Sequence, residues 1–282
     1  MSILQAIVLG VIQGITEFLP VSSSGHLILF PELFNWPLQD LAFDAVIHLG
    51  TLVAVLIVLR RDIKKMIHAF ISNRPCAERS LAWMIIVATI PVLFVGYFAG
   101  DIIEGALRTP LVVVISLTFW AVVLGVADWF SVKKGSTSVS LSAKGQAYAC
   151  RSHTTKIQEI KWWQAIAIGL AQILALIPGT SRSGITITAG LFSGIDRKTA
   201  ARWSFLLSIP AIGSAGAKSL LDLSTGSATI EFAPLFVGFI MAMISGTIAI
   251  KFLLALVSRI SYWPFVFYRI LLAGVVLVVL VL

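Results

Sequence analysis

Charge is scarce in this sequence. Asp, Glu, Lys and Arg make up 12% of its 282 residues, about half of the roughly 25% usual in soluble domains. So little charge excludes an ordinary water-exposed surface. No Lys or Arg occurs before Arg60, so the basic head of a cleavable signal peptide is missing and the N-terminus is expected to be retained. Cysteine is scarce too. Cys76 and Cys150 stand in polar loops without CxxC or Cys/His spacing, which argues against a disulfide framework or thiolate metal site and leaves two unpaired thiols. Period-2 alternation is also missing, and with it an outer-membrane barrel. What the chain has instead is apolar bulk. Hydrophobic residues make up 58% of it and the mean hydropathy is +0.98, in blocks near the roughly 20 residues that span lipid. An all-α integral membrane protein is expected. The net charge of +8 is then first a matter of topology. No nucleic-acid partner is implied, membrane lipids are, and a homo-oligomer is left open.

Six blocks, about 43–59, 81–99, 111–129, 200–218, 233–257 and 264–282, are long enough to cross the bilayer. Two more, about 3–30 and 162–192, are apolar but broken near the middle by polar, Gly/Pro-bearing segments. Non-helical backbone survives at membrane depth only where protein or water satisfies it, so both read as re-entrant helix-turn-helix hairpins. The basic residues test this. Arg60, Arg61, Lys64, Lys65, Arg74 and Arg79 cluster in 60–80, Lys133, Lys134, Lys144, Arg151, Lys156 and Lys161 in 130–161, and Arg197, Lys198 and Arg202 in 193–202. By contrast, 100–110 holds only Arg108 and 219–232 holds no Lys or Arg. With both hairpins re-entrant, every basic segment falls on one face, and the positive-inside rule puts both termini outside. The chain reads as one membrane domain, 1–282. Its halves, about 1–130 and 161–282, are joined by a polar cytoplasmic linker, about 131–160.

The halves resemble one another. GVIQGITEFLPVSSSG from Gly10 to Gly25 matches GLAQILALIPGTSRSG from Gly169 to Gly184, with Gln13 and Gln172 in register and a Ser-rich turn closed by Ser-Gly in both. The parity of the spans makes this an inverted repeat, whose broken helices meet near the midplane. One polar pocket lined by both turns is expected.

Arg182 is the only Lys or Arg in either turn. An ionisable group at membrane depth implies function, and its partner should be an anion; the alternative is that Arg182 merely pairs with Glu17 and holds the hairpins together. Flanking glycines, hydroxyls and a helix N-terminus near Ser183 complete the parts of a phosphate cradle. In the first turn, Gln13 and Glu17 share a helix face, and Ser22 and His26 have the same spacing. Glu, Ser and His supply a metal ligand or base, a nucleophile or donor, and a titratable acid/base; the alternative for His26 is a buried imidazole satisfied by a carbonyl. His48, four residues after Asp44, begins a span near the outer side and is expected either to cap or pack there or to reach the pocket rim, and Asp128 to lie at the cytoplasmic interface.

QGITEFLPVSSSGH and PGTSRSGIT resemble the two signature segments of the undecaprenyl-pyrophosphate phosphatase family, the bacitracin-resistance type. FDAVIHLGT, RWSFLLSIPA and YWPFVFYRI extend the resemblance along the chain. It implies a bacterial inner-membrane hydrolase that converts a long-chain isoprenoid diphosphate to the monophosphate, recycling the lipid carrier of cell-wall synthesis. The family's acidic motif falls on Gln13 and Glu17, its serine–histidine segment on Ser22, Ser23, Ser24 and His26, and its phosphate-binding segment on Gly179, Thr180, Ser181, Arg182, Ser183 and Thr186. A divalent cation is implied, Mg2+ first and Ca2+ as the alternative, held by Glu17 and diphosphate oxygens because the first acidic place is Gln13. His26 or Ser23 is the nucleophile, or water is. Type 2 phosphatidic-acid phosphatases need a second His about six residues after the Arg, and none follows Arg182. A transporter or flippase of an anionic lipid remains the rival reading of the same pocket.

Overall fold

The structure, a computed structural model, describes residues 1–72, 76–107, 109–140, 157–225 and 232–280. Among them all regular structure is helical: α1 (Ile3–Phe18), α2 (Ser23–Leu33), α3 (Leu41–Val58), α4 (Arg60–Ile71), α5 (Ala77–Leu107), α6 (Pro110–Ser140), α7 (Trp162–Gln172), α8 (Arg182–Phe192), α9 (Arg197–Thr225), α10 (Phe232–Leu256) and α11 (Trp263–Leu280). Single 3-10 turns cover Ile157–Glu159 and Ile173–Leu176. Each of the six expected blocks falls on one helix. Four of these helices, α3, α5, α6 and α10, are long and apolar enough to cross a membrane. The chain is a multi-pass membrane protein.

Both broken blocks form helix-turn-helix hairpins, α1–α2 and α7–α8. Three of the four arms are short: α2, α7 and α8 have 11 residues each, about 17 Å against a roughly 30 Å hydrocarbon core, while α1 has 16. The Gln164 side chain, at the start of α7, donates to the Ser193 carbonyl just past α8, at 2.9 Å. The two ends of the second hairpin therefore lie side by side.

Packing repeats between the halves with partners exchanged. Helix α1 packs on α10 as α7 packs on α5, α2 on α11 as α8 on α6, and α3 pairs with α9. Close approach makes this possible. A Cβ on Gly10 would lie 2.6 Å from the Gly238 carbonyl, and one on Gly169, its match, 2.4 Å from that of Ala88. Glycine at both places lets backbones touch, as small residues do between membrane helices.

Two stretches differ from the sequence reading. The basic segment after α3 is the amphipathic helix α4, which buries Met66 and Ala69. Apolar residues at helical spacing inside a charged run suffice for this. The first part of the expected linker, 131–140, continues α6. Cys150, His153, Arg74, Arg108, Lys144, Arg151, Lys156 and the rest of the linker, 141–156, lie outside the described residues. Cys76 is an exposed free thiol.

Two ion pairs gather helix ends on one side. The Arg202 guanidinium donates to both oxygens of Asp62, joining α9 to α4. Arg197 does the same to Asp128, joining α9 to α6. Asp128 is 1% exposed and also accepts the Tyr262 backbone N–H at 3.3 Å. Removing one member of such a buried pair strands the other charge. Asp128→Ala is expected to cost about 3 kcal/mol or more, read as a lower melting temperature in detergent. The double substitution Asp128→Leu with Arg197→Leu should recover most of that loss; a single substitution without effect would remove the pair from the stability of the fold.

Candidate active site

The two polar turns meet. In the first, α1 ends at Phe18 and α2 begins at Ser23; in the second, α8 begins at Arg182. The residues just before α2 and α8, Ser22 and Ser181, hold matched places in the repeat and both have left-handed backbone, φ 73° and 70°. Such φ values are uncommon outside glycine and store strain at functional turns. Each serine also pairs with the hydroxyl two residues on, Ser22 with Ser24 at 3.2 Å and Ser181 with Ser183 at 3.3 Å. Gly179 has φ 85°, and a Cβ there would lie 2.7 Å from the Val113 carbonyl, so only glycine fits.

Glu17 is the hub, 8% exposed. Its Oε1 accepts from Arg182 Nη2 at 2.8 Å. Its Oε2 accepts from Ser23 Oγ at 2.8 Å and Gln13 Nε2 at 3.1 Å. Across the turns, Ser183 Oγ donates to the Leu19 carbonyl at 3.0 Å. The pocket expected from the repeat is therefore assembled from both halves, with an ion pair at its centre. A second contact fixes Arg182: its Nη1 donates to the Ser204 carbonyl at 3.2 Å. Thr186 supports that place, bonded to the Arg182 carbonyl at 2.8 Å and to Ser204 Oγ at 2.7 Å.

The remaining candidate residues divide by exposure. Ser24 faces a cavity of about 830 Å3 that also reaches Gly25 and Pro178. Arg182 faces an adjoining cavity of about 820 Å3. Ser22, Gly179, Thr180, Ser181, Ser183 and Thr186 are buried in the turns. His26 is 2% exposed, and both ring nitrogens are occupied. Nδ1 lies 2.7 Å from the Ser22 carbonyl and so carries the proton, leaving Nε2 to accept from the Tyr268 hydroxyl at 2.7 Å. The Glu17–Arg182 pair is not among its partners.

His48 takes the place at the pocket rim that the sequence allowed it. Its Nδ1 is pinned to the Asp44 carbonyl at 2.6 Å, and Nε2 comes within 3.8 Å of Glu17 Oε2 while bordering both cavities. Two further residues, Arg269 and Tyr268, matter here that the motifs did not point to. Arg269, 0% exposed, donates through Nη2 to the carbonyls of Gly179 and Thr180 at 3.1 and 3.0 Å, and through Nε to Leu117 at 3.3 Å. It props the second turn from behind. An arginine inside an apolar final span was the signal the sequence offered. Tyr268, its neighbour, holds His26; nothing in the sequence marks that contact.

A divalent cation fits this donor set only with help. Gln13 Oε1 is buried and unpartnered among the described residues, and Glu17 Oε2 lies beside its amide. Both are hard oxygens of the kind Mg2+ takes. No group of three or more His, Cys, Asp or Glu among the described residues could hold an ion by itself, so these two oxygens would need further ligands beside them.

Comparison with known proteins agrees in one direction. The family model described as Bacitracin resistance protein BacA matches residues 6–275. A protein named Undecaprenyl-diphosphatase from Saccharophagus degradans is 45% identical over 277 residues, covering 97% of each chain. One of the same name from Marinobacter nauticus is 39% identical over 284 residues, covering 99% of this chain and all of the relative. Undecaprenyl-diphosphatase 2 of Stutzerimonas stutzeri is 41% identical over 283 residues, 99% of this chain and 98% of its own.

Proposed function

Because the chain belongs to the bacitracin resistance protein BacA family, we propose that its two polar turns form a phosphoryl-transfer site, with Arg182 as anion clamp and Ser23 as nucleophile. The protein is a membrane hydrolase that converts undecaprenyl diphosphate to undecaprenyl phosphate and phosphate. The observation that carries the residue assignment is the shared carboxylate: Glu17 holds Arg182 at one oxygen and Ser23 at the other, both at 2.8 Å.

Little covalent chemistry is needed in phosphoryl transfer, and positioning with charge neutralisation supplies most of the rate. Arg182 turns its guanidinium to the terminal phosphoryl oxygens, with Ser24 Oγ and the free backbone N–H groups at the start of α8 as further donors. Ser23 Oγ attacks the terminal phosphorus as its proton passes to Glu17 Oε2. The bond from that phosphorus to the bridging oxygen breaks, and undecaprenyl phosphate leaves with the electron pair. Glu17 passes the Ser23 proton to the departing undecaprenyl phosphate. Water then attacks the phosphorus of the phosphoserine as its proton passes to Glu17, the bond to Ser23 Oγ breaks, and Ser23 takes that proton back from Glu17 as phosphate leaves. A divalent cation, Mg2+ before Ca2+, would sit on Gln13 Oε1, Glu17 Oε2 and diphosphate oxygens and neutralise charge there. His26, locked between Ser22 and Tyr268, orients the turn that carries Ser23.

The setting is the bacterial cytoplasmic membrane, with both hairpins re-entrant, about six spans, and the cavities and both termini on the outer side. The basic segments support this reading, as do the Asp62–Arg202 and Asp128–Arg197 pairs, which collect on one side the helix ends that parity assigns to the cytoplasm. The halves 1–130 and 161–282 then form an inverted repeat around one site. Purified protein in detergent is expected to release phosphate from a long-chain isoprenoid diphosphate with Mg2+ and to stop in EDTA. Release that is unchanged in EDTA would remove the cation. Binding of the lipid diphosphate without any release would turn the pocket into a carrier's.

A further inference from the structure

The reaction above leaves Gln172 unused. It ends α7 and occupies the repeat position of Gln13. Gln13 gives its amide to Glu17 four residues on; the residue four after Gln172 is Leu176, which offers no acceptor. Gln172 is 1% exposed, and neither Oε1 nor Nε2 has a hydrogen-bond partner among the described residues. Leaving such a buried amide unmet is unfavourable, and a native fold keeps one for a reason.

That reason lies next to it. Gln172 borders the cavity of about 820 Å3 onto which Arg182, His48 and Lys218 also open. Much of the rest of this lining is apolar, including Leu41, Ala45, Val92 and Ile212, with one carboxylate, Asp44, set against the cations Arg182 and Lys218. An apolar wall with an amide, a guanidinium and an ammonium suits the head of an amphiphile. It does not suit free phosphate, which gains nothing from apolar surface. During the reaction the terminal phosphoryl group is held at Ser23 and Glu17. The other phosphate carries the isoprenoid chain, and it is this end that needs both donors and apolar cover.

We propose that Gln172 binds the lipid-linked phosphate, the one retained in the product, donating Nε2 to its oxygens, while Lys218 supplies positive charge in the same cavity. Arg182 stands between this subsite and the terminal phosphate. The proposal rests on the phosphatase reading of the site. It gives the matched glutamines of the two halves different roles, since Gln13 serves the catalytic carboxylate and Gln172 serves the ligand.

The test is Gln172→Leu beside Gln172→Glu, with four readouts: melting temperature without ligand, affinity for a C15 isoprenyl monophosphate, inhibition by inorganic phosphate, and the KM and kcat of phosphate release. With no partner to lose, the Leu variant should melt no lower than the wild type. It should bind the lipid monophosphate about 10-fold more weakly, as expected for one lost hydrogen bond to a charged group, with phosphate inhibition unchanged. KM should rise and kcat hold. Gln172→Glu should weaken lipid monophosphate binding further through repulsion. Unchanged affinity for the lipid monophosphate in both variants overturns the proposal. So does equal weakening toward inorganic phosphate, which would place Gln172 at the terminal phosphoryl group, and so does a Leu variant that fails to fold, which would give the amide a structural partner. Because binding is read without turnover, a wild type that binds the monophosphate but releases no phosphate fails the phosphatase reading alone.

Discussion

Replacing Arg182 by alanine is expected to lower kcat/KM for phosphate release by about 1,000-fold or more, the scale on which a charge-stabilising arginine acts in phosphoryl transfer. The substitution removes the anion clamp and also unbalances the centre of the site. Glu17, 8% exposed, would be left without its ion-pair partner at 2.8 Å, and an unpaired buried carboxylate destabilises strongly. Activity and stability must therefore be read separately. Arg182→Ala with Glu17→Gln should restore most of the lost melting temperature and none of the activity. Arg182→Lys keeps the charge but loses the fork that reaches Glu17 and the Ser204 carbonyl together, so it should fall between. Near-normal release by Arg182→Ala in a folded protein would sink the cradle.

Ser23→Ala is expected to lower turnover by about 10,000-fold, because effects of this order follow loss of a nucleophile held by its base. His26→Asn should cost far less. The difference comes from geometry: Ser23 Oγ donates to Glu17, a base, whereas both His26 nitrogens are occupied, by Ser22 and Tyr268. An acid quench during turnover should trap phosphoserine in the wild type and nothing in Ser23→Ala. The opposite pattern, with Ser23→Ala active and His26→Asn dead, would move the nucleophile to His26. If both variants stay active, water is the attacking group.

Much of this site is legible in the residues themselves. Gln13 and Glu17 stand four apart, so the helix must place them on one face, and their hydrogen bond at 3.1 Å is the consequence. Ser22 and His26 have the same spacing and are joined through the Ser22 carbonyl. The match between GVIQGITEFLPVSSSG and GLAQILALIPGTSRSG foretold two like turns, and their serines share even an uncommon φ. Local spacing carries such information because helix geometry is the same everywhere. His48 shows where it stops. The motif around it allows a capping role or a place at the pocket rim, and its approach to Glu17 arises only because α3 packs beside α1. Helix α4 stops short of the same limit: its apolar spacing was present, hidden in a run of basic residues.

The sequence by itself determined the environment and the parts: apolar blocks that demand lipid, two broken segments whose polar residues cannot face it, and one arginine that must find an anion. These follow from transfer free energies and covalent order. Only the tertiary structure decided which parts touch. It paired Glu17 with Arg182 across 165 positions, set the buried Arg269 behind the second turn, took His26 out of the ion-pair centre and left the Gln172 amide unmet beside a cavity. Those outcomes depend on how closely helices approach, as at Gly10 and Gly169. Helix approach is a property of surfaces brought together by packing, and no single segment contains it.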